Sequence, residues 1–152
     1  MDTYKILHIN YGNGFQLELD AMLNQNFSVT TTDSTIDAYN HLMSRPFDVV
    51  IAEHNLPSMS GIEFLQSIAT DFPKVKRILI TEGTNSLDLI NAVNKAKVFS
   101  ILLRPFDMEE VNTALVAAIK DIKSTEENEK LVQDLIVQNQ QFEFILRQRL
   151  LS

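Results

Sequence analysis

The chain has 152 residues, 45% of them hydrophobic, so one domain can bury a full core and wholesale disorder is excluded. A formal net charge of −7 disfavours nucleic acid and anionic lipid as partners, because little on such a chain neutralises phosphates. There is no cysteine, which removes disulfides, thiolate metal sites and thiol catalysis and fits a reducing, cytoplasmic setting.

Tyr4 to Ile9 reads as a first strand. Its apolar run is short and broken by His8 and Asn10, so no signal peptide is expected, and no run in the chain approaches a membrane span. Asn10-Tyr11-Gly12-Asn13-Gly14 has turn chemistry and reads as a loop. Phe15, Leu19, Met22 and Leu23 then fall at helical spacing. Phe27 to Thr31 is a shorter second strand. Asp33 or Ser34 can cap the next helix, with Ile36, Tyr39 and Met43 as its inner face and Pro46 closing it.

Val49 to Ala52 is a third strand, rich in β-branched residues and buried on both faces. It stops at Glu53, and chemistry in an open α/β sheet sits outside the carboxyl ends of its strands. Pro57 to Gly61 is a loop, and Ile62, Leu65 and Ala69 carry a helix that ends before Pro73. Arg77 to Thr81 is a fourth strand. After the loop Glu82 to Asn85, Ser86 can cap a helix bearing Leu87, Ile90 and Val93. Val98 to Leu103 is a fifth strand, ending at Arg104-Pro105. Asp107 caps a helix bearing Val111, Leu115, Ala118 and Ile122.

Strand and helix thus alternate through residues 1–123, which predicts an α/β domain: a five-stranded parallel sheet with helices on both faces. Residues 124–152 contain no Gly and no Pro and read as a long amphipathic helix. It either continues the preceding helix or restarts at Ser124, where Ser124-x-x-Glu127 would make a capping box. Its apolar residues offer two seams: Leu131, Leu135, Phe142 and Ile145, or Val132, Leu135, Asn139, Phe142 and Leu146. The sequence leaves the register between them open. A helix of this kind cannot bury its stripe alone, so it needs the first domain, a second copy or another partner.

Four landmarks together resemble the receiver domain of bacterial two-component response regulators. They are the loop after strand one, the Asp48 to Pro57 stretch with Gly61 beyond it, Thr81 closing strand four, and Arg104-Pro105-Phe106 closing strand five. The run from Asn91 to Phe106 is close to that family's usual wording. The resemblance covers the 1–123 region and implies the flavodoxin-like doubly wound sheet, strand order 2-1-3-4-5. It also implies roles. In the family, two acidic residues after strand one hold Mg²⁺, and an Asp ending strand three takes a phosphoryl group from a histidine kinase. A Thr or Ser ending strand four and a Lys ending strand five contact the phosphoryl oxygens. By position, the acidic pair falls on Asn10 and Tyr11, the acceptor on Glu53 and the hydroxyl on Thr81. The Lys falls on Arg104, followed by the family's Pro as Pro105, and the aromatic switch residue falls on Ile101.

Those substitutions change the expected chemistry. Mg²⁺ wants hard oxygen ligands, and the position offers one carboxylate beside an amide and a phenol. Without a metal, an anionic acceptor and an anionic donor approach unscreened. Glu53 is also one methylene longer than Asp, which moves its oxygens off the in-line geometry of phosphoryl transfer. No metal and no cofactor are therefore expected. Two readings of Glu53 stay open: with Arg104 opposite, it stands in for phospho-Asp, or the two fill a dead pocket. His8 reads as a partly buried strand residue, His41 as surface and His54 as no ligand; Tyr11 reads as a plug and Ile101 as core packing.

The expected function is a non-catalytic signalling module: a degenerate receiver that dimerises through the Leu87–Val93 helix, strand five, the helix after Asp107 and the C-terminal helix. A histidine kinase or an output domain is the implied protein partner. The alternatives are an atypical phosphoacceptor that catalyses its own phosphorylation and hydrolysis, or a small-ligand sensor using the vacated acidic pocket. Whether an output domain follows Ser152 is open.

Overall fold

A computed structural model describes residues 3–11, 20–21, 23–83 and 85–151. Five strands form one sheet: β1 (Lys5–Ile9), β2 (Ser28–Thr32), β3 (Val49–Glu53), β4 (Lys76–Thr81) and β5 (Ser100–Leu103). The order is β2-β1-β3-β4-β5. Every pairing is parallel. This is the α/β sheet expected from the sequence, with strand ends displaced by a residue or two. Between the strands lie α1 (Thr35–Ser44), α2 (Gly61–Asp71) and α3 (Ser86–Asn94), and α4 (Met108–Leu151) follows β5. Residues 20, 21, 23 and 24, between β1 and β2, are also helical. Phe15, Leu19 and Met22 of the expected first helical stripe, and Gly12 to Gly14 of the loop, lie outside the described residues.

The sheet is buried because side chains on both faces of its central strands are apolar. Leu7, Ile9, Val50, Ala52 and Leu79 share a core with Ala38 and Leu42 of α1, Phe64, Leu65 and Ile68 of α2, and Ala92 of α3. Strand alternation places Ile6, His8, Ile51, Glu53, Ile78 and Ile80 on the opposite face. Leu23, Val111, Ala114, Leu115 and Ala118 are among the described buried residues available to cover it.

The helices start on side-chain caps. Ser34 Oγ accepts from the Asp37 N–H at 3.2 Å, and Ser60 Oγ accepts from Glu63 N–H at 3.1 Å. Asp107 Oδ1 accepts from Glu110 N–H at 2.8 Å. Each such cap stabilises its helix by about 1 kcal/mol. The cap of α3 is Asn85, not Ser86: Asn85 Oδ1 accepts from Leu87 N–H at 3.0 Å. The inner face of α1 also differs from expectation. Ile36 is 73% and Met43 68% exposed, and the buried residues are Thr35, Ala38 and Leu42. The small Ala38 lets the helix lie close to the sheet, which carries the two bulkier side chains outward. Arg77 knits the amino end of β4 to the chain between α3 and β5. Its guanidinium donates to the carbonyls of Ala96, Val75 and Lys97 at 3.1, 2.7 and 3.1 Å.

The chain divides into two compact units, residues 1–118 and 119–152. The expected division lay at 123/124. Helix α4 runs unbroken from Met108 to Leu151, so no new helix starts at Ser124. In the second unit every described side chain from Lys123 to Leu150 is exposed.

Candidate functional site

The sheet order reverses between β1 and β3, and a crevice opens where their carboxyl ends part. Ile9 pairs with Ala52, so the next residues, Asn10 and Glu53, emerge side by side. Asn10 is 2% exposed; its N–H donates to Thr32 O at 3.0 Å, and its side-chain oxygen has no hydrogen-bond partner among the described residues. Tyr11, the next residue, is 57% exposed. It is not the plug expected from the sequence: β1 has ended, and the chain carries the ring out to solvent.

Glu53 closes β3 and is buried. Its Oε1 accepts from Arg104 Nη2 across the crevice. Arg104 is positioned by the end of β5, where its own N–H donates to Thr81 O at 2.9 Å. Its guanidinium lies over the Phe106 ring, 5.6 Å from the centroid. The Arg104–Pro105 peptide is cis. Burial pushes the Glu53 carboxyl above the usual carboxylate range, and the charge and hydrogen bond of Arg104 oppose that rise. A cavity of about 430 Å³ beside the pair is lined by Glu82, Arg104, Pro105 and Phe106.

Gly61 explains how the loop after Glu53 fits. A Cβ on Gly61 would lie 2.1 Å from the Glu53 carbonyl oxygen, so only glycine allows this approach. Its N–H donates to His54 O at 2.8 Å, and His54 N–H donates to Ile80 O at 2.9 Å. Thr81, half-buried at the end of β4, accepts on Oγ1 from Gly83 N–H at 3.3 Å. Gly83 has φ +71°. Ile101 is half-buried against the core that α1, α2 and α3 share, as the packing reading of that residue requires.

The histidines are more constrained than their sequence neighbours suggest. His8 is fully buried, not partly, and its Nδ1 lies 2.9 Å from Asp20 Oδ1. Asp20 is a site neighbour that sequence reasoning missed: its signal is one polar residue in a helical stretch, and only the fold shows which strand it faces. His54 Nε2 lies 3.5 Å from Asp88 Oδ2 on α3, and His41 Nε2 lies 3.4 Å from Asp37 Oδ2 one turn away on α1. Among the described residues no three of His, Cys, Asp or Glu cluster as metal ligands. No helix of the described residues is long and apolar enough to cross a membrane.

The response regulator receiver domain, as a family model, matches residues 13–116. The chain is 32% identical over 84 residues to the hydrogenase transcriptional regulatory protein HoxA of Cupriavidus necator; the match covers 55% of this chain but only 17% of that regulator. It thus spans far less than the whole of that relative. The signal receiver domain of an HD domain-containing protein from Pseudomonas fluorescens Pf-5 has a similar structure, with TM-score 0.79 and 26% identity, covering 84% of this chain and 94% of that one. An adenylate cyclase structure from Rhodopirellula baltica gives TM-score 0.78 and 26% identity, covering 87% and 98%. With most of the sheet-forming region inside the matched residues and the fold shared, this chain belongs to the response regulator receiver domain family and is a signalling module of that kind.

Proposed function

We propose that this receiver signals through protein contacts without taking up a phosphoryl group by the Mg²⁺-dependent aspartyl route. The observation that carries the reading is the buried Glu53–Arg104 pair at the acceptor position. The acceptor carboxylate is already engaged by a cation, and its oxygens sit one methylene beyond where Asp would hold them. The residues present do not fit Mg²⁺. One carboxylate is spoken for, Asn10 offers a neutral amide oxygen, and Tyr11 faces solvent. Of the two uses of Glu53, the dead but structural pair is favoured over permanent phospho-Asp mimicry. Mimicry would aim the Thr81 hydroxyl at Glu53, whereas among the described residues the Glu53 carboxylate is bonded to Arg104 and Thr81 Oγ1 is turned to the Gly83 N–H.

Exposed apolar side chains supply the contacts. Leu87, Ile90 and Val93 on α3 and Leu103 on β5 are exposed in the first unit, and Leu131, Leu135, Phe142 and Ile145 in the second. Such surface fits a homodimer, with a histidine kinase or an output domain as a further protein partner. The site is tested by intact-mass spectrometry after incubation with acetyl phosphate and Mg²⁺. The natural sequence should gain no phosphoryl mass. Neither Glu53→Asp alone nor Asn10→Asp with Tyr11→Asp should gain one, while the triple variant should, because residues that act as a unit are non-additive. A phosphoryl group mapped to Glu53 of the natural sequence would establish the atypical phosphoacceptor instead. A small molecule that raises Tm and is lost on Arg104→Met would support the ligand-sensor reading.

A further inference from the structure

The second unit poses a question that the first does not answer: what an apolar helix face with an amide in its middle is built to meet. Helix α4 is continuous to Leu151, so no break in the backbone interrupts the spacing of its apolar residues from Leu131 to Leu150. Val132, Leu135, Phe142 and Leu146 are 56%, 64%, 60% and 46% exposed. Together with Asn139 they repeat at alternating spacings of three and four residues, the a and d positions of a coiled coil. Centred on this seam, Leu131 and Ile145 flank it on one side, at g positions, and Ile136 and Leu150 on the other, at e positions. Centring on the competing seam would turn Ile136 to the back of the helix and place Gln138 in the core. The first choice therefore gathers the apolar stripe more completely. Val137 and Phe144 fall on the far side under it and take no part.

The polar layer then identifies the occupant. Burying Asn139 against a smooth apolar groove would strand its amide, which costs far more than leaving it in water. A matching amide at the same height removes that cost, and a second copy of the same helix, parallel and in register, presents one. The a-position residues nearby are β-branched Val132 and then Asn139, with Leu135 at d between them. That is the pattern that favours two strands, and a single buried Asn fixes both register and number. Parallel g-to-e contacts would also join Leu131 to Ile136 of the second copy, and Ile145 to its Leu150.

We infer that residues 131–150 of α4 form a parallel, in-register, two-stranded coiled coil with a second copy of this chain, with Asn139 paired to Asn139 at its centre. The inference rests on the homodimer reading above and adds its geometry and its specificity residue. It predicts that Asn139 sacrifices stability in order to exclude other assemblies.

The chain has no cysteine, so single introduced cysteines report the geometry without interference. Val132→Cys and Leu146→Cys, each in the full chain, are oxidised separately and as a mixture, and light scattering gives the mass of the unmodified chain. Val137→Cys, on the far side, is the control. A parallel register predicts a doubled-mass disulfide species for Val132→Cys alone and for Leu146→Cys alone, and none for Val137→Cys. An antiparallel pair centred on Asn139 predicts a cross-link only in the mixture; that result, with a dimer by light scattering, would overturn the inference and leave the dimer reading standing. A monomer would overturn both. Asn139→Leu is expected to raise Tm and shift the mass from dimer toward trimer or larger. An unchanged Tm and mass would place Asn139 outside the core and overturn its role.

Discussion

Arg104→Met removes the guanidinium that meets Glu53 and leaves an apolar side chain of similar length. The Glu53 side chain is 11% exposed and that of Arg104 21%. Removing one partner of a fully buried ion pair costs about 3–5 kcal/mol, because the other charge is left uncompensated. A fifth of the Arg104 side chain already reaches water, and water can follow it inward, so about 2 kcal/mol is expected near neutral pH. For a chain of this size that lowers Tm by roughly 4–8 °C.

Burial holds the Glu53 carboxyl above the ordinary carboxylate range, and Arg104 is the largest cause working against it. Without Arg104 the folded-state value rises further, while the unfolded value is unchanged. A carboxyl whose pKa is raised on folding contributes stability that is complete below the unfolded value and is lost as pH rises through the folded one. The deficit of Arg104→Met should therefore be small in acid and grow toward neutrality, levelling off once Glu53 is ionised in the folded variant. Urea unfolding across about pH 5 to pH 8 measures it. Adding Glu53→Gln should return most of the loss, since a neutral amide needs no counter-ion. A deficit that does not vary with pH, or that widens in acid, would refute the reasoning.

Three further outcomes follow from the same geometry. Gly61→Ala puts a methyl against the Glu53 carbonyl and the His54 Cα, both backbone atoms, and should cost ~3 kcal/mol or more in urea unfolding. Arg77→Met strips the donor from the carbonyls of Ala96, Val75 and Lys97, and from the longer bond to Pro73 O, and should cost roughly 2–3 kcal/mol, with hydrogen exchange rising first around Ala96 and Lys97. Calorimetry with Mg²⁺ should give no saturable heat; a signal abolished by Glu53→Gln would count against the proposed loss of phosphoryl chemistry.

The sheet was legible because its signals are local. Val49 to Ala52 and Ile78 to Ile80 are apolar runs closed by polar residues, and such runs form strands wherever helices cover both faces. The carboxyl ends of the strands followed, and with them Asn10, Glu53, Thr81 and Arg104. The failures are those where a neighbour in space decides. Ile36 and Met43 are larger and more apolar than Ala38, yet Ala38 faces the sheet because closeness matters more than bulk there. Asn85 and Ser86 are both good caps, and only the path of the chain chose Asn85. Tyr11 carries no mark that its strand has ended two residues before it. His8 alternates with apolar neighbours as a half-buried residue would, and its full burial depends on Asp20, which no spacing connects to it.

Whether Arg104 serves as a charge or as a shape can be separated by one conservative change. Lys carries the same charge as Arg but as a compact ammonium without the planar fork that reaches Glu53 while its carbon lies 5.6 Å from the Phe106 ring centroid. Glu53 reaches further from β3 than Asp would, so the space left for its partner is correspondingly short, and an ammonium with strong hydration of its own must be stripped of water to enter it. If charge alone holds the pair, Arg104→Lys should match the natural chain at every pH. If the fork and the ring contact matter, Arg104→Lys should lose about 1 kcal/mol near neutral pH, near half the deficit of Arg104→Met, and with less growth from acid toward neutrality, because Glu53 still meets a cation. The geometry favours the second outcome: the guanidinium meets Glu53 and lies over the Phe106 ring, while the Arg104 backbone N–H is held by Thr81 O. Urea unfolding of the three proteins side by side decides it. An Arg104→Lys variant as unstable as Arg104→Met would show that charge contributes nothing there, and the account of Glu53 as a buried, compensated carboxylate would fall with it.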